Sequence, residues 1–169
     1  PHILSAIQDL LEDDFVVLTV TDAQMALRLL EKEEVSVILS DQRMPGLSGD
    51  QFLIEAQKLS HATRVLITGY ADLHALVRAV IEGKIYGYVA KPWEPEELRS
   101  LVSKAADYFT LVEELEHERS LLNALMDNIP DHIYFKDTAT RFTRINNALA
   151  RTLGLRDPKE ALGRTDAEF

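Results

Sequence analysis

The feature that most constrains this chain is the alternation, across its first hundred residues, of short apolar β-branched runs with amphipathic helical stretches. His2 to Glu12 places Ile3, Ile7, Leu10 and Leu11 at helical spacing, and Phe15-Val16-Val17-Leu18-Thr19-Val20 then has the length and composition of a strand. Asp22 is a candidate N-cap for a helix carrying Met25, Ala26, Leu29 and Leu30. Val35–Leu39, Arg64–Ile67 and Ile85–Ala90 read as further apolar strands, separated by helices over Gln51–Leu59 and Leu73–Ile81. Another helix starts beyond Pro92 and Pro95. Apolar strands alternating with helices predict a doubly wound α/β fold, a parallel sheet covered on both faces. In such a sheet the reacting groups belong at the carboxyl ends of the strands.

Three of those ends carry chemistry. Val35–Leu39 runs into Ser40-Asp41, Arg64–Ile67 into Thr68-Gly69, and Ile85–Ala90 into Lys91-Pro92-Trp93. A carboxylate, a hydroxyl and an ammonium therefore converge on one edge of the sheet. A carboxylate can act as a nucleophile towards phosphorus, and a hydroxyl and a lysine can hold the oxygens of the phosphoryl group it receives. Taken singly, Asp41 reads as a turn cap, Thr68 as a β-branched strand end and Lys91 as a solvated charge. Their joint placement on successive strand ends favours a site.

Composition bounds the rest. At 169 residues the chain is one domain of about 150 residues with some left over. With 46% hydrophobic and 27% charged residues it is globular in character, and the absence of cysteine excludes disulfides and thiolate metal sites. The 18 basic and 28 acidic residues leave a net charge of −10, a field that repels a polyanion, so nucleic-acid binding by this segment is not expected. No apolar run reaches the roughly 18 residues of a membrane span, and a cytoplasmic protein is expected. Half of the net charge, −5, falls within residues 107–127, which suggests a solvated helix joining two compact parts.

SDQRMPGLSG around Asp41, LITGYAD around Thr68 and YGYVAKPW around Lys91, with Asp41 and Lys91 50 positions apart, give residues 1–106 a clear resemblance to the receiver domain of two-component response regulators. The resemblance implies a flavodoxin-like fold in which Asp41 accepts phosphate from a phosphohistidine on a partner histidine kinase. It implies that Thr68 and Lys91 bind the phosphoryl oxygens, that Tyr88 is the aromatic switch, and that Mg²⁺ is held by Asp41 and the backbone carbonyl of Arg43. On chemistry alone Tyr88 is equally a half-buried strand tyrosine.

The same resemblance exposes a departure. Receiver domains open with a strand ending in an acidic pair that completes the Mg²⁺ shell, whereas Pro1-His2-Ile3-Leu4 resembles the residues immediately after that pair. Glu12-Asp13-Asp14 lies at the entry of a strand, on the wrong edge of the sheet to substitute. The expectation is a receiver clipped by its first strand, with weak or absent Mg²⁺ binding and poor phosphorylation of the chain as written.

From Glu94 to Pro130 no Pro but Pro95 and no Gly interrupts the helical pattern. Leu101, Ala105, Tyr108, Val112, Leu115, Arg119, Leu122, Met126 and Ile129 step by four and three residues, the a/d seam of a coiled coil with one polar member. A parallel homodimer through residues 107–127 is the expectation. An ordinary last helix packed on its own sheet is the alternative as far as about Ala106. His117 falls at an outward position and lacks the Pro-bearing turn of kinase phosphohistidine helices, so it reads as a solvated surface residue.

Residues 121–169 resemble the opening of a PAS sensory domain, through LLNALMDNIPDHIYFKD, TRFTRINNALARTLGL and Asn146-Asn147-Ala148 at a strand-to-helix passage. Gly163-Arg164-Thr165-Asp166 suits that family's next short helix. Residues 128–169 are expected to be the partial α+β beginning of such a domain, with its ligand unknown. The leading expectation is a signalling protein whose receiver passes its state through a dimeric helix to a PAS or output module. One alternative is the regulatory part of a histidine kinase or diguanylate cyclase; the other is a pseudo-receiver scaffold that never takes phosphate.

Overall fold

The computed structural model describes residues 2–69 and 73–169, and the chain divides into two compact units at Val112. The segment Tyr70-Ala71-Asp72 of the LITGYAD motif lies outside the described residues, as does Pro1. In the first unit, α1 (His2–Leu11) and α2 (Ala23–Leu30) precede β1 (Val37–Asp41). Then come α3 (Gly49–Leu59), β2 (Thr63–Thr68), α4 (Leu73–Ile81), β3 (Gly87–Ala90) and α5 (Pro95–Asn128), the last running on past Val112. The strands lie side by side in the order β1-β2-β3, all parallel, with Val37 opposite Thr63 and Val65 opposite Gly87.

Alternation along each strand builds two cores, one on each face of the sheet. Ile38 and Leu66 point to one face, where they meet Ala23 of α2, Phe52, Leu53 and Ala56 of α3, and Ala79 of α4. Val37, Leu39, Ile67 and Val89 serve the other face, against Ile7 and Leu11 of α1 and Leu98 and Val102 of α5. The doubly wound arrangement expected from the apolar runs is therefore what the described residues form. Asp22 caps α2 as expected, its carboxylate accepting the Met25 N–H at 3.0 Å.

Phe15–Val20 departs from expectation: it forms no strand. It keeps the period-two pattern, with Phe15 and Val17 packed towards α1 and α5 while Val16 is 94% exposed. A strand, however, is defined by a ladder of hydrogen bonds to a neighbour, and among the described residues nothing pairs with this segment. The first ladder strand also starts later than expected, at Val37, and takes in Ser40 and Asp41. Those polar residues are held by backbone pairing to Leu66 and Ile67, which a hydropathy pattern does not register.

The expected seam along α5 is corrected at several positions. Ala105 is fully buried and Leu101 packs into the α1/α5 core, so both serve their own sheet. Met126 is likewise buried, at the other end of the helix. Tyr108 and Leu115 remain half or more exposed, Leu122 is exposed and Val112 is half-buried. Tyr108 packs against Tyr86 with ring centroids 5.2 Å apart and the ring planes tilted by 39°.

The second unit, residues 113–169, comprises the end of α5, a hairpin of antiparallel β4 (Tyr134–Lys136) and β5 (Phe142–Ile145), and α6 (Asn147–Thr152). Single 3-10 turns follow at Pro158–Ala161 and Asp166–Glu168. Phe142, Ile145, Leu149, Ala150 and Ala161 form its core. Asn146 ties it together. The Asn146 Oδ1 accepts from the N–H groups of Ile133 and Leu149, while Nδ2 donates to the carbonyls of Ile129 and Asp131.

Candidate functional site

Asp41 is the last residue of β1, Thr68 the last of β2, and Lys91 follows β3 directly. The ladders fix their alignment: Asp41 stands opposite Ile67, and Thr68 opposite Ala90. Two backbone bonds extend the pairing into the loops, Gln42 N–H to the Ile67 carbonyl and Lys91 N–H to the Thr68 carbonyl, each 2.8 Å. All three residues therefore sit at one lip of the sheet, on adjacent strands about 4.8 Å apart.

Lys91 closes the site. Its Nζ lies 2.5 Å from Asp41 Oδ2, so the side chain reaches from β3 over the end of the intervening β2, where Thr68 stands. Asp41 and Lys91 keep about a quarter of their side-chain surface open to solvent, enough to admit a reagent. The other carboxylate oxygen, Oδ1, accepts the Arg43 N–H at 3.1 Å, a local turn that folds the backbone of residues 41–43 around the carboxylate. Thr68 is 4% exposed and its hydroxyl donates to the Gly69 carbonyl at 3.3 Å. Tyr88 stands apart, half exposed on β3.

The turn after Asp41 is shaped by two glycines. Gly46 has φ +82°, a conformation that other residues resist. Gly49, the first residue of α3, is packed so closely that a Cβ there would lie 2.3 Å from the Asp41 carbonyl oxygen and 2.9 Å from Gln42 Cα. Its N–H donates to the Gln42 carbonyl at 3.0 Å, pinning α3 to the turn after Asp41. In the sequence Asp41 and Arg43 stand out in this stretch, and Gly49 does not. The only available signal is the Pro45-Gly46…Gly49 spacing, which marks a turn without revealing what the glycine touches.

Beside the turn, Asp50 has a fully buried side chain. Burial pushes its carboxyl up, but hydrogen bonds from Ser48 and Gln42, the Arg78 guanidinium and the Gln51 backbone outweigh it and hold the pKa below the ordinary value of 3.8. Neither Asp50 nor its partners stand out in the sequence.

The expected Mg²⁺ finds only part of a shell. Among the described residues no three His, Asp or Glu side chains gather as a metal site. Asp41 and one backbone carbonyl do not make the near-octahedral oxygen shell that Mg²⁺ demands. The residues present do not by themselves fit the ion.

Comparison with known proteins agrees with this geometry. Residues 1–103 match the response regulator receiver domain family. The chain is 43% identical over 103 residues to the hydrogenase transcriptional regulatory protein HoxA of Cupriavidus necator, and 39% identical over 112 residues to HoxA of Bradyrhizobium diazoefficiens. These alignments cover 60% and 66% of this chain but 21% and 23% of the relatives, so the chain spans about a fifth of their length. Among solved structures, a response regulator receiver domain protein from Clostridium thermocellum is 32% identical with a TM-score of 0.61, covering 66% of this chain and 90% of that one. The adenylate cyclase structure from Rhodopirellula baltica is 27% identical with a TM-score of 0.68, covering 70% and 90%. The flavodoxin-like sheet, the strand-end carboxylate and the matched residues lead to one conclusion: the chain belongs to the response regulator receiver domain family of two-component systems.

Proposed function

We propose that Asp41 is the phosphoacceptor of this receiver, taking a phosphoryl group from a phosphohistidine on a cognate histidine kinase. The observation that carries the reading is the 2.5 Å pairing of Asp41 Oδ2 with Lys91 Nζ, two residues 50 positions apart drawn together at the carboxyl edge of a parallel sheet. In the transfer an Asp41 carboxylate oxygen forms a bond to phosphorus as the histidine N–P bond breaks, leaving the imidazole free and an acyl phosphate on the protein. The Lys91 ammonium is already in place to pair with the added negative charge. Thr68, at the end of the strand between them, is the neighbour that supplies a hydroxyl to a phosphoryl oxygen. Tyr88, two residues from the end of β3, is the side chain expected to change exposure in response. No step is assigned to Mg²⁺, because this chain's residues furnish one carboxylate of the set.

The output reading is that α5 carries the state onward. Leu111, Leu115, Leu121, Leu122 and Leu125 are all exposed, too much apolar surface for one solvated helix, which supports a homodimeric coiled coil over this stretch. The hairpin and α6 of the second unit support the start of a PAS module. Leu115→Glu with Leu122→Glu should convert a dimer to a monomer in sedimentation; a wild-type monomer at tens of micromolar defeats this part of the proposal.

The phosphoacceptor reading is tested with the full natural protein, a small phosphodonor and Mg²⁺. Intact mass spectrometry should show one added phosphoryl group, lost on treatment with neutral hydroxylamine, as an acyl phosphate is, and absent in Asp41→Asn. Equal labelling of the Asp41→Asn variant would sink the assignment.

A further inference from the structure

The end of α5 leaves a rotated seam uncovered. Of the spaced positions expected to face a partner, Met126 is buried within its own unit. The leucines beside it are free: Leu115 is 62% exposed, Leu122 41% and Leu125 58%. Counted from Leu115, the steps are three to residue 118, four to Leu122 and three to Leu125, which puts all four on one stripe of the helix. Residue 118 is a glutamate, also exposed. The stripe that stays open therefore carries a carboxylate among its leucines, where the spacing that ends in Met126 carries Arg119. Arg119 is the only Lys or Arg of residues 107–127, and it lies 3.7 Å from Glu116. Glu116 is two residues from Glu118 and so sits on another face of the helix.

We propose that a second copy of this chain docks on the stripe of Leu115, Glu118, Leu122 and Leu125, and that docking takes up a proton where the two Glu118 side chains meet. The inference rests on the homodimer reading of α5 and names what regulates it. A parallel two-stranded pairing sets each seam residue against its own equivalent, so leucine meets leucine in three layers and carboxylate meets carboxylate in one. Two ionised carboxylates brought together out of water repel, and one proton from solvent, shared between them, relieves the repulsion. No nearby cation answers them. Arg119 is drawn to Glu116, and Arg144 of β5 donates to Asn123, five residues further on. Glu113 and Glu114 add negative charge just before the layer, and His117 adjoins it in sequence but faces another side. The stripe is also short. Leu115 to Leu125 spans about 15 Å of a helix about 10 Å across, on the order of a few hundred Å² per copy, against the roughly 800 Å² per partner of a standing interface. Pairing over it is marginal, and one unfavourable layer decides whether it forms.

The test is sedimentation equilibrium of the full 169-residue chain at about pH 7.5 and about pH 6, at constant salt. Both values lie above the pI of 4.9, so loss of overall charge does not drive association. The wild-type dissociation constant should fall by about fivefold or more at the lower pH, since one proton taken up per dimer allows up to about tenfold per pH unit. Glu118→Gln should pair more tightly than wild type at the higher pH and lose the response, and Glu118→Leu should pair more tightly still. His117→Gln should keep the wild-type response, which separates the carboxylate from the imidazole that ordinarily titrates in this range. A wild-type dimer indifferent to pH, a Glu118→Gln variant that keeps the response, or a His117→Gln variant that loses it overturns the proton uptake and leaves the homodimer standing. Monomers at both pH values and tens of micromolar, in wild type and Glu118→Leu alike, overturn the homodimer reading, and this inference falls with it. A monomeric chain that instead binds a synthetic 107–128 helix, its four glutamates changed to lysine, gives the stripe to a basic partner and overturns both.

Discussion

Replacing Gly49 by alanine should damage the turn after Asp41 through sterics alone. The added Cβ would stand 2.3 Å from the Asp41 carbonyl oxygen, 2.8 Å from its carbon and 2.9 Å from Gln42 Cα, all backbone atoms that cannot rotate away. Restoring an ordinary contact requires α3 and the turn to separate by about 1 Å, and overpacking of this kind costs about 1–3 kcal/mol. The same separation breaks the 3.0 Å bond from Gly49 N–H to the Gln42 carbonyl, worth about 0.5–1.5 kcal/mol. Alanine's better helix propensity offsets at most about 1 kcal/mol. The net loss is about 1–3 kcal/mol in the first unit. Urea unfolding followed by Trp93 fluorescence reads that unit directly, because Trp93 packs into its core. The moved Asp41 carbonyl also predicts slower phosphoryl transfer by at least about tenfold, since a misplacement of about 1 Å at a reacting group costs up to roughly a hundredfold. A variant within about 0.5 kcal/mol of wild type (the scatter of neutral surface changes) that also labels at the wild-type rate would refute the steric reasoning.

Three other contacts give further expected outcomes. Lys91→Met should slow phosphorylation of Asp41 by roughly 10²-fold or more while changing stability by less than about 1 kcal/mol, because the pair is partly solvated; rate and urea midpoint measured side by side separate the two effects. Asp50 has a folded pKa below its unfolded value near 3.8, so its contribution is complete above that value and is lost as pH falls through the lower folded one. Asp50→Asn should therefore be most destabilising near neutral pH and least so in acid, which urea titrations at about pH 6 and about pH 3 check. Asn146→Ala removes four hydrogen bonds at a residue 1% exposed and should destabilise the second unit by about 2–4 kcal/mol, read as faster proteolysis within residues 129–150.

Much of the site was legible before the fold was known. Asp41, Thr68 and Lys91 stand at the ends of apolar runs, and period and topology alone bring strand ends to one lip of a parallel sheet. The helices of the first unit were legible for the same reason, since burial on one face writes a 3.6-residue period into the chain. Phe15–Val20 misled because its composition records which residues tolerate a pleated, half-buried surface, whereas a ladder needs a partner that composition does not contain. Ala105 and Leu101 misled differently. A seam at alternating three and four residues is what any one-sided helix shows, and their own sheet occupies them.

The amino-acid order determined the layer architecture, the chemistry at the strand ends and the position of the long helix, because these depend on local periodicity. Only tertiary structure decided that Lys91 closes on Asp41, that Gly49 leaves no room for a methyl group, and that Asp50 is sealed between Gln42 and Arg78. Those facts join residues 8 to 50 positions apart, and contact across such separations is set by how whole elements pack, which no local pattern encodes.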